Sequence, residues 1–175
     1  MVATIIEFEG DLKKAATEAA KFLREKSVKL NEDEDYDEFF SGEREFVAEC
    51  YRRLSLLNKS YPNNLLMEYY KPKRNERNPE FVYPDLVFHD SGSGRVAVEV
   101  KSVWFMPTKK DGLYKVDEDR IYEDYEKLRD RYNKFDSKIL LVSFLGAPID
   151  YHRNYFKQYV EELVHGNSNI GVITC

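Results

Sequence analysis

The chain has 175 residues, of which 42% are hydrophobic, 34% charged and 14% aromatic, with a mean hydropathy of -0.63 and a pI near 5.4. No apolar run approaches the ~20 residues that cross a bilayer, and the aromatic share argues for a packed core over disorder. Thirty-two acidic residues against 27 basic ones leave a net charge of -5, which excludes a uniformly basic nucleic-acid coat but leaves room for a local basic patch.

Cys50 and Cys175 are too few for a disulfide framework. The opening MVATIIEFEG has no basic flank, no long apolar stretch and no small-residue cleavage site. No signal peptide is expected, and the cytoplasm is the expected compartment. One domain is expected over 1–175, divided into an N-terminal extension (1–40), a core (41–145) and a C-terminal helix and strand (146–175).

In chain order, Val2 to Phe8 reads as a short apolar strand. Asp11 is expected to cap a helix in which Leu12, Ala15, Ala16, Ala19, Phe22 and Leu23 recur at helical spacing. NEDEDYD, from Asn31 to Asp37, reads as a solvated acidic linker. A second helix opens at Ser41-Gly42, with Val47, Cys50, Leu54 and Leu57 as its inner stripe. Asn58 to Asn64 contains Pro62 and reads as a turn.

Three strands are expected next, at Leu65 to Tyr70, Val82 to His89 and Arg95 to Val103, the last two joined by the turn DSGSG. Phe105 to Val116 reads as a loop. A helix from Asp117 to Phe135 carries the stripe Ile121, Tyr125, Leu128 and Tyr132. Ile139 to Leu145 is a strand apolar on both faces. A helix from Tyr151 to His165 and a strand from Ile170 to Thr174 complete the chain. This order implies an α/β fold around a mixed sheet.

The segment Phe81 to Trp104 concentrates the chemistry. On a strand alternate residues share a face, so Glu99 and Lys101 stand on one side of the third strand and Val96, Val98 and Val100 on the other. With Gly92 at the centre of the turn, opposed positions sum to 184: His89 faces Arg95, Val87 faces Ala97 and Asp85 faces Glu99. Opposed residues have Cβ atoms ~5 Å apart, and two carboxylates that close raise each other's pKa. A divalent cation removes that cost, and hard oxygen ligands favour Mg²⁺ or Mn²⁺ over zinc. Lys101 then stands beside the metal, placed to orient water or offset charge developing on phosphorus.

Glu43 precedes Val47, Cys50 and Leu54 by four, seven and eleven residues and so continues the inner stripe at the helix N-terminus. Glu45 and Glu49 fall off that stripe and are expected in solvent. Most of the 13 tyrosines lie on apolar helix stripes and are expected in the core. Glu68 is a further acid that could extend the site, and His89 shares the face of Asp85.

Pro84-Asp85 and Glu99-Val100-Lys101 resemble the signature of the PD-(D/E)XK nuclease superfamily, with its restriction-endonuclease-like fold. The order of helix, three strands, helix and strand is similar to that fold's αβββαβ core, over about Glu43 to Leu145. Gly42-Glu43-Arg44-Glu45 before an apolar helix also resembles the start of archaeal Holliday-junction resolvases. The resemblance implies a metal-dependent nuclease. Asp85 and Glu99 would be metal ligands, the Val100 carbonyl a backbone ligand, Lys101 the catalytic lysine, and Glu43 an acid contacting metal-bound water or a second ion. DNA is the implied partner, and a homodimer is one way to cut both strands. Two alternatives stay open: a non-catalytic nucleic-acid-binding or scaffold protein of the same fold, and an RNA or single-strand nuclease.

Lys71, Lys73, Arg74 and Arg77 cluster in KPKRNERN, between the first two expected strands, while Lys109 and Lys110 follow the lysine strand. In an acidic chain these six are the expected phosphate contacts. Replacing Lys73 and Arg74 by Ala is therefore expected to weaken nucleic-acid binding equally for all sequences. The salt slope should fall by about one unit per lost phosphate contact. A salt titration of binding reads this directly, and an unchanged slope would assign the loop to solvation alone.

Overall fold

The computed structural model describes residues 3–31, 42–67, 84–90, 92, 94–103, 113–145, 150–167 and 169–175. The acidic linker, the basic loop with Lys71, Lys73, Arg74 and Arg77, the pair Lys109 and Lys110, and Glu68 lie outside the described residues. The helices are α1 (Ile5–Asn31), α2 (Gly42–Leu57), α3 (Tyr61–Asn64), α4 (Leu113–Glu126) and α5 (Asp150–Val164). A π-helical turn, Lys127–Arg131, continues α4. The strands are β1 (Leu65–Met67), β2 (Leu86–His89), β3 (Arg95–Val103), β4 (Ser137–Phe144) and β5 (Ile170–Thr174).

The five strands form one sheet in the order β1-β2-β3-β4-β5. The β1/β2 and β2/β3 pairs are antiparallel, whereas β3/β4 and β4/β5 are parallel. The fold is thus α/β with a mixed sheet, and α4 makes the crossover that a parallel β3/β4 pair requires. Among the described residues no helix is long and apolar enough to cross a membrane.

Each face of the sheet carries its own core. Val96, Val98 and Val100 of β3, with Ile139 and Leu141 of β4, meet Phe8, Leu12 and Ala16 of α1 and Phe46, Cys50 and Leu54 of α2. On the opposite face Ala97 and Val103 join Leu140 and Val142 against Ile121 and Tyr125 of α4, Leu128 of the π-turn, and Phe156 and Val160 of α5. The period-two pattern of β3 therefore sorts Val96, Val98 and Val100 to one face and Glu99 and Lys101, with Ala97 and Val103, to the other.

The N-terminus departs from the expectation. Residues Ile5 to Phe8 are helical, not extended, because Thr4 and Glu7 form a capping box. The Thr4 backbone N–H donates to Glu7 Oε2 at 2.7 Å and the Glu7 N–H donates to Thr4 Oγ1 at 3.3 Å. Asp11 is consequently inside α1 and accepts the Tyr61 hydroxyl at 2.7 Å instead of capping the helix. Tyr61 is fully buried between Phe8 and Phe88, with ring centroids 5.8 and 5.7 Å away.

Smaller departures follow from packing. Phe22 lies outside the core at 44% exposure with the Arg53 guanidinium over its ring, and Leu57 ends the α2 stripe exposed at 38%. Glu49, expected in solvent, is held by Arg52 and Arg53 at 2.7 Å each. The expected turn at Asn58–Asn64 contains the one-turn helix α3, and α4 begins at Leu113 within the segment read as a loop.

Candidate active site

The hairpin has the register that its turn chemistry implies. Leu86 pairs with Val98, Val87 with Ala97, Phe88 with Val96 and His89 with Arg95, each pair summing to 184. Within the turn, Asp90 Oδ1 accepts the Gly92 and Gly94 N–H groups at 2.8 and 2.6 Å, an Asx arrangement that fixes the reversal. A Cβ at residue 94 would meet Asp90 Oδ2 at 2.6 Å, so a side chain there would have to displace the carboxylate that holds the turn.

The strand pairing ends at Leu86, for a reason written in the next two residues. The Asp90 N–H donates to the Gly94 carbonyl at 2.9 Å, so even-numbered pairs in this register exchange hydrogen bonds, and the next such pair would be Pro84 with Val100. Proline has no N–H, so residue 84 offers the Val100 carbonyl no donor. Asp85 takes the other half of the bond: its Oδ2 accepts the Val100 N–H at 2.7 Å. A residue's N–H and C=O point to the same strand edge, so the Asp85 carboxylate and the Val100 carbonyl both stand at the end of the β2/β3 ladder.

Glu99 lies on the α4 face of β3 and is only 3% exposed. The Tyr132 hydroxyl donates to its Oε1, and Lys127 Nζ stands 3.8 Å from its Oε2. Burial, then the neighbouring charges of Asp85 and Asp124, push the Glu99 carboxyl up to about 9, against the opposing pull of Tyr132 and Lys127. The same burial and the Glu99 carboxyl push the Tyr132 phenol far above its usual range, so it stays a hydrogen-bond donor.

Lys101, two residues on, donates to Glu43 Oε2 at 2.8 Å and lies 3.3 Å from Asp124 Oδ2. Burial alone would lower its pKa, but Asp124 and Glu43 outweigh it and hold the ammonium above the ordinary lysine value. Glu43 thus reaches the site from the start of α2 while keeping 39% of its side chain exposed.

Asp85, Glu99, Lys101 and Glu43 are therefore joined through direct contacts or through the charges that act on Glu99. Three further residues come from α4, its π-turn and the residue that caps it: Asp124, Lys127 and Tyr132. Asp124 is 3% exposed, and its Oδ1 accepts Lys127 Nζ at 2.5 Å. The i, i+3 spacing of Asp124 and Lys127 was available as a signal. Tyr132 does sit in the core, as its stripe implies, yet its hydroxyl is the closest partner of Glu99. His89 pairs with Arg95 at the far end of the hairpin. Among the described residues no three carboxylate, imidazole or thiol side chains converge tightly enough to enclose a metal ion by themselves.

A carboxyl at about 9 against an ordinary value of 4.5 holds a proton in the folded state that the unfolded chain releases. Folding stability therefore falls as pH rises through that window. In metal-free protein, Glu99→Gln should gain stability relative to wild type from about pH 5 to about pH 9, by up to a few kcal/mol. Urea denaturation of both forms across this range is the measurement. A pH-independent difference would mean that Glu99 is ionised in the native state.

No protein-family model, curated protein or solved structure matches this chain.

Proposed function

We propose that this protein is a Mg²⁺- or Mn²⁺-dependent nuclease of restriction-endonuclease-like fold that hydrolyses phosphodiester bonds, with DNA as the substrate. The observation that carries this reading is the buried carboxyl of Glu99, driven to about 9 by burial and by Asp85 and Asp124. Four acids (Glu43, Asp85, Glu99 and Asp124) gather around two lysines, Lys101 and Lys127. Fully ionised, that set carries two uncompensated negative charges, the deficit that one divalent cation offsets.

The donor set fits a hard cation. Asp85, Glu99 and the Val100 carbonyl supply oxygen ligands at the end of the β2/β3 ladder. Mg²⁺ commonly takes only one or two carboxylates, filling its shell with water and substrate phosphate. A site of this kind does not need three converging protein side chains. When bound, the ion would supply Lewis-acid activation of water and of the phosphate.

In hydrolysis a water oxygen bonds to phosphorus, the bond to the leaving oxygen breaks, and a water proton ends on that leaving group. Lys101 is held as an ammonium by Glu43 and Asp124, so it acts as a hydrogen-bond donor and positive charge beside the reacting phosphate, not as a base. Tyr132 fixes one oxygen of Glu99 and leaves the other toward Lys127. The basic residues Lys71, Lys73, Arg74, Arg77, Lys109 and Lys110 would hold the flanking backbone.

Plasmid nicking with Mg²⁺ or Mn²⁺, beside duplex, branched and single-stranded substrates, tests the activity and its substrate. A chain that binds nucleic acid but never cleaves it is the non-catalytic alternative. Asp85→Asn keeps an oxygen for the Val100 N–H while removing a charge that Glu99 opposes. The metal-free melting temperature should stay level or rise slightly, while cleavage and any metal-induced rise in melting temperature should be lost. Lys101→Ala should lose cleavage yet keep that metal-induced rise. If Asp85→Asn instead destabilises the metal-free protein by several kcal/mol, on the scale of a broken buried ion pair, Asp85 is structural.

A further inference from the structure

The two lysines are held unequally. Lys101 sits between Glu43 at 2.8 Å and Asp124 at 3.3 Å, and only 15% of its side chain is exposed. Lys127 has one hydrogen-bonded carboxylate, Asp124 at 2.5 Å, while Glu99 at 3.8 Å is too far for a hydrogen bond; 33% of its side chain is exposed. An ammonium has three donors. Lys127 therefore keeps donor capacity and is the more solvent-accessible of the two, whereas Lys101 is enclosed.

Asp124 links the pair. Its Oδ1 holds Lys127, whereas its Oδ2 faces Lys101 as an ion pair without hydrogen-bond geometry and has no hydrogen-bond partner among the described residues. A carboxylate 95% buried with one oxygen left this way is costly unless a ligand or a shifted lysine completes it.

The π-turn supports the same face. At ~100° per residue, Tyr132 would stand ~80° round the helix from Asp124, eight positions earlier. The extra residue in the widened turn Lys127–Arg131 takes up ~100°, which returns Tyr132 close to the Asp124 direction. Asp124, Lys127 and Tyr132 thereby meet β3 together.

We infer that Lys127 is a second functional cation, contacting a non-bridging oxygen of the bound phosphodiester, and that Asp124 is the positioning residue that holds Lys127 and Lys101 in their separate places. This rests on the phosphodiesterase reading and extends it from β3 to α4.

The test uses full-length wild type, Lys127→Ala, Lys127→Arg, Asp124→Asn and the double variant Asp124→Asn/Lys127→Ala. Binding to a duplex in EDTA is followed across a salt series, and Mg²⁺-dependent cleavage is measured as kcat and KM. Lys127→Ala should lower the salt slope by about one unit and reduce kcat/KM by roughly 100-fold. Lys127→Arg, which keeps the charge, should restore the slope and most of the rate. Asp124→Asn should reduce kcat with little change in KM. The double variant should lose less than the product of the two single losses, because the part of the Asp124 effect that runs through Lys127 is already gone while the part that runs through Lys101 remains.

Lys127→Ala with wild-type slope and rate overturns the inference while leaving the nuclease reading intact. Additive losses in the double variant overturn the positioning role of Asp124. A wild type that cleaves no substrate overturns the nuclease reading, and the salt slope of Lys127→Ala then still reports on the phosphate contact. Should Asp124→Asn fail to fold, the Lys127 pair alone decides.

Discussion

Burying Glu99 beside two other acids is the constraint around which the rest of the site is arranged. The position is 3% exposed and opposes Leu140 in the parallel pair with β4. Ala97 shares its face. An apolar side chain there would extend the core between sheet and α4, whereas a carboxyl must be protonated or compensated. Exchanging buried charges for apolar residues is often neutral or stabilising in proteins. Stability alone thus gives no reason for an acid at this point, and the proposed chemistry does.

The topology brings the compensating groups from two directions. A parallel β3/β4 pair needs a crossover, and α4 lies across the sheet on the face that bears Glu99 and Lys101. Ile121, Tyr125 and Leu128 seat it against Leu140 and Val142, and that apolar seating sets how Asp124 and Lys127 approach the strand. Glu43 arrives from α2, whose Phe46, Val47, Cys50 and Leu54 belong to the opposite core. Lys101 therefore ties the two layers together at the site, between a helix from each face.

How much of this was legible follows from the range of the forces involved. The β2/β3 register could be read because DSGSG makes a short turn and side chains on a strand alternate strictly; both signals are local. The apolar stripe of α4 was equally plain. Asp124 and Lys127 are not legible in the same way, because a helix sequence says which residues share a face, but not which strand position that face will meet. The sequence marks Tyr132 only as core, because a phenol fits an apolar stripe equally well, and the π-turn that precedes it has no simple sequence mark. The misread N-terminus is a different case. Ile5, Ile6 and Phe8 look extended by composition, but Thr4 and Glu7 already spelled a capping box, and the local cap outweighed β propensity. Leu57 extends its stripe past the point where a neighbouring element covers it, whereas Phe22 stands beside the buried face that Ala19, Ala20 and Leu23 keep.

The role left to Lys101 follows from the same electrostatics. Burial should favour its neutral amine, yet Asp124 and Glu43 keep it charged, and Lys127 is likewise held above the ordinary value against its own burial. Two ammonium groups that resist deprotonation cannot take a proton from water near neutral pH. In the proposed reaction they would stabilise negative charge on the phosphate instead. Glu99, at about 9, carries its own proton near neutral pH, and in the proposed reaction a bound ion would compete with that proton for the one carboxylate. On the proposed reading the buried acids would favour a divalent cation through the cost of leaving Glu99 ionised without one, and the lysines would favour a phosphate through positive charge that the neighbouring acids maintain.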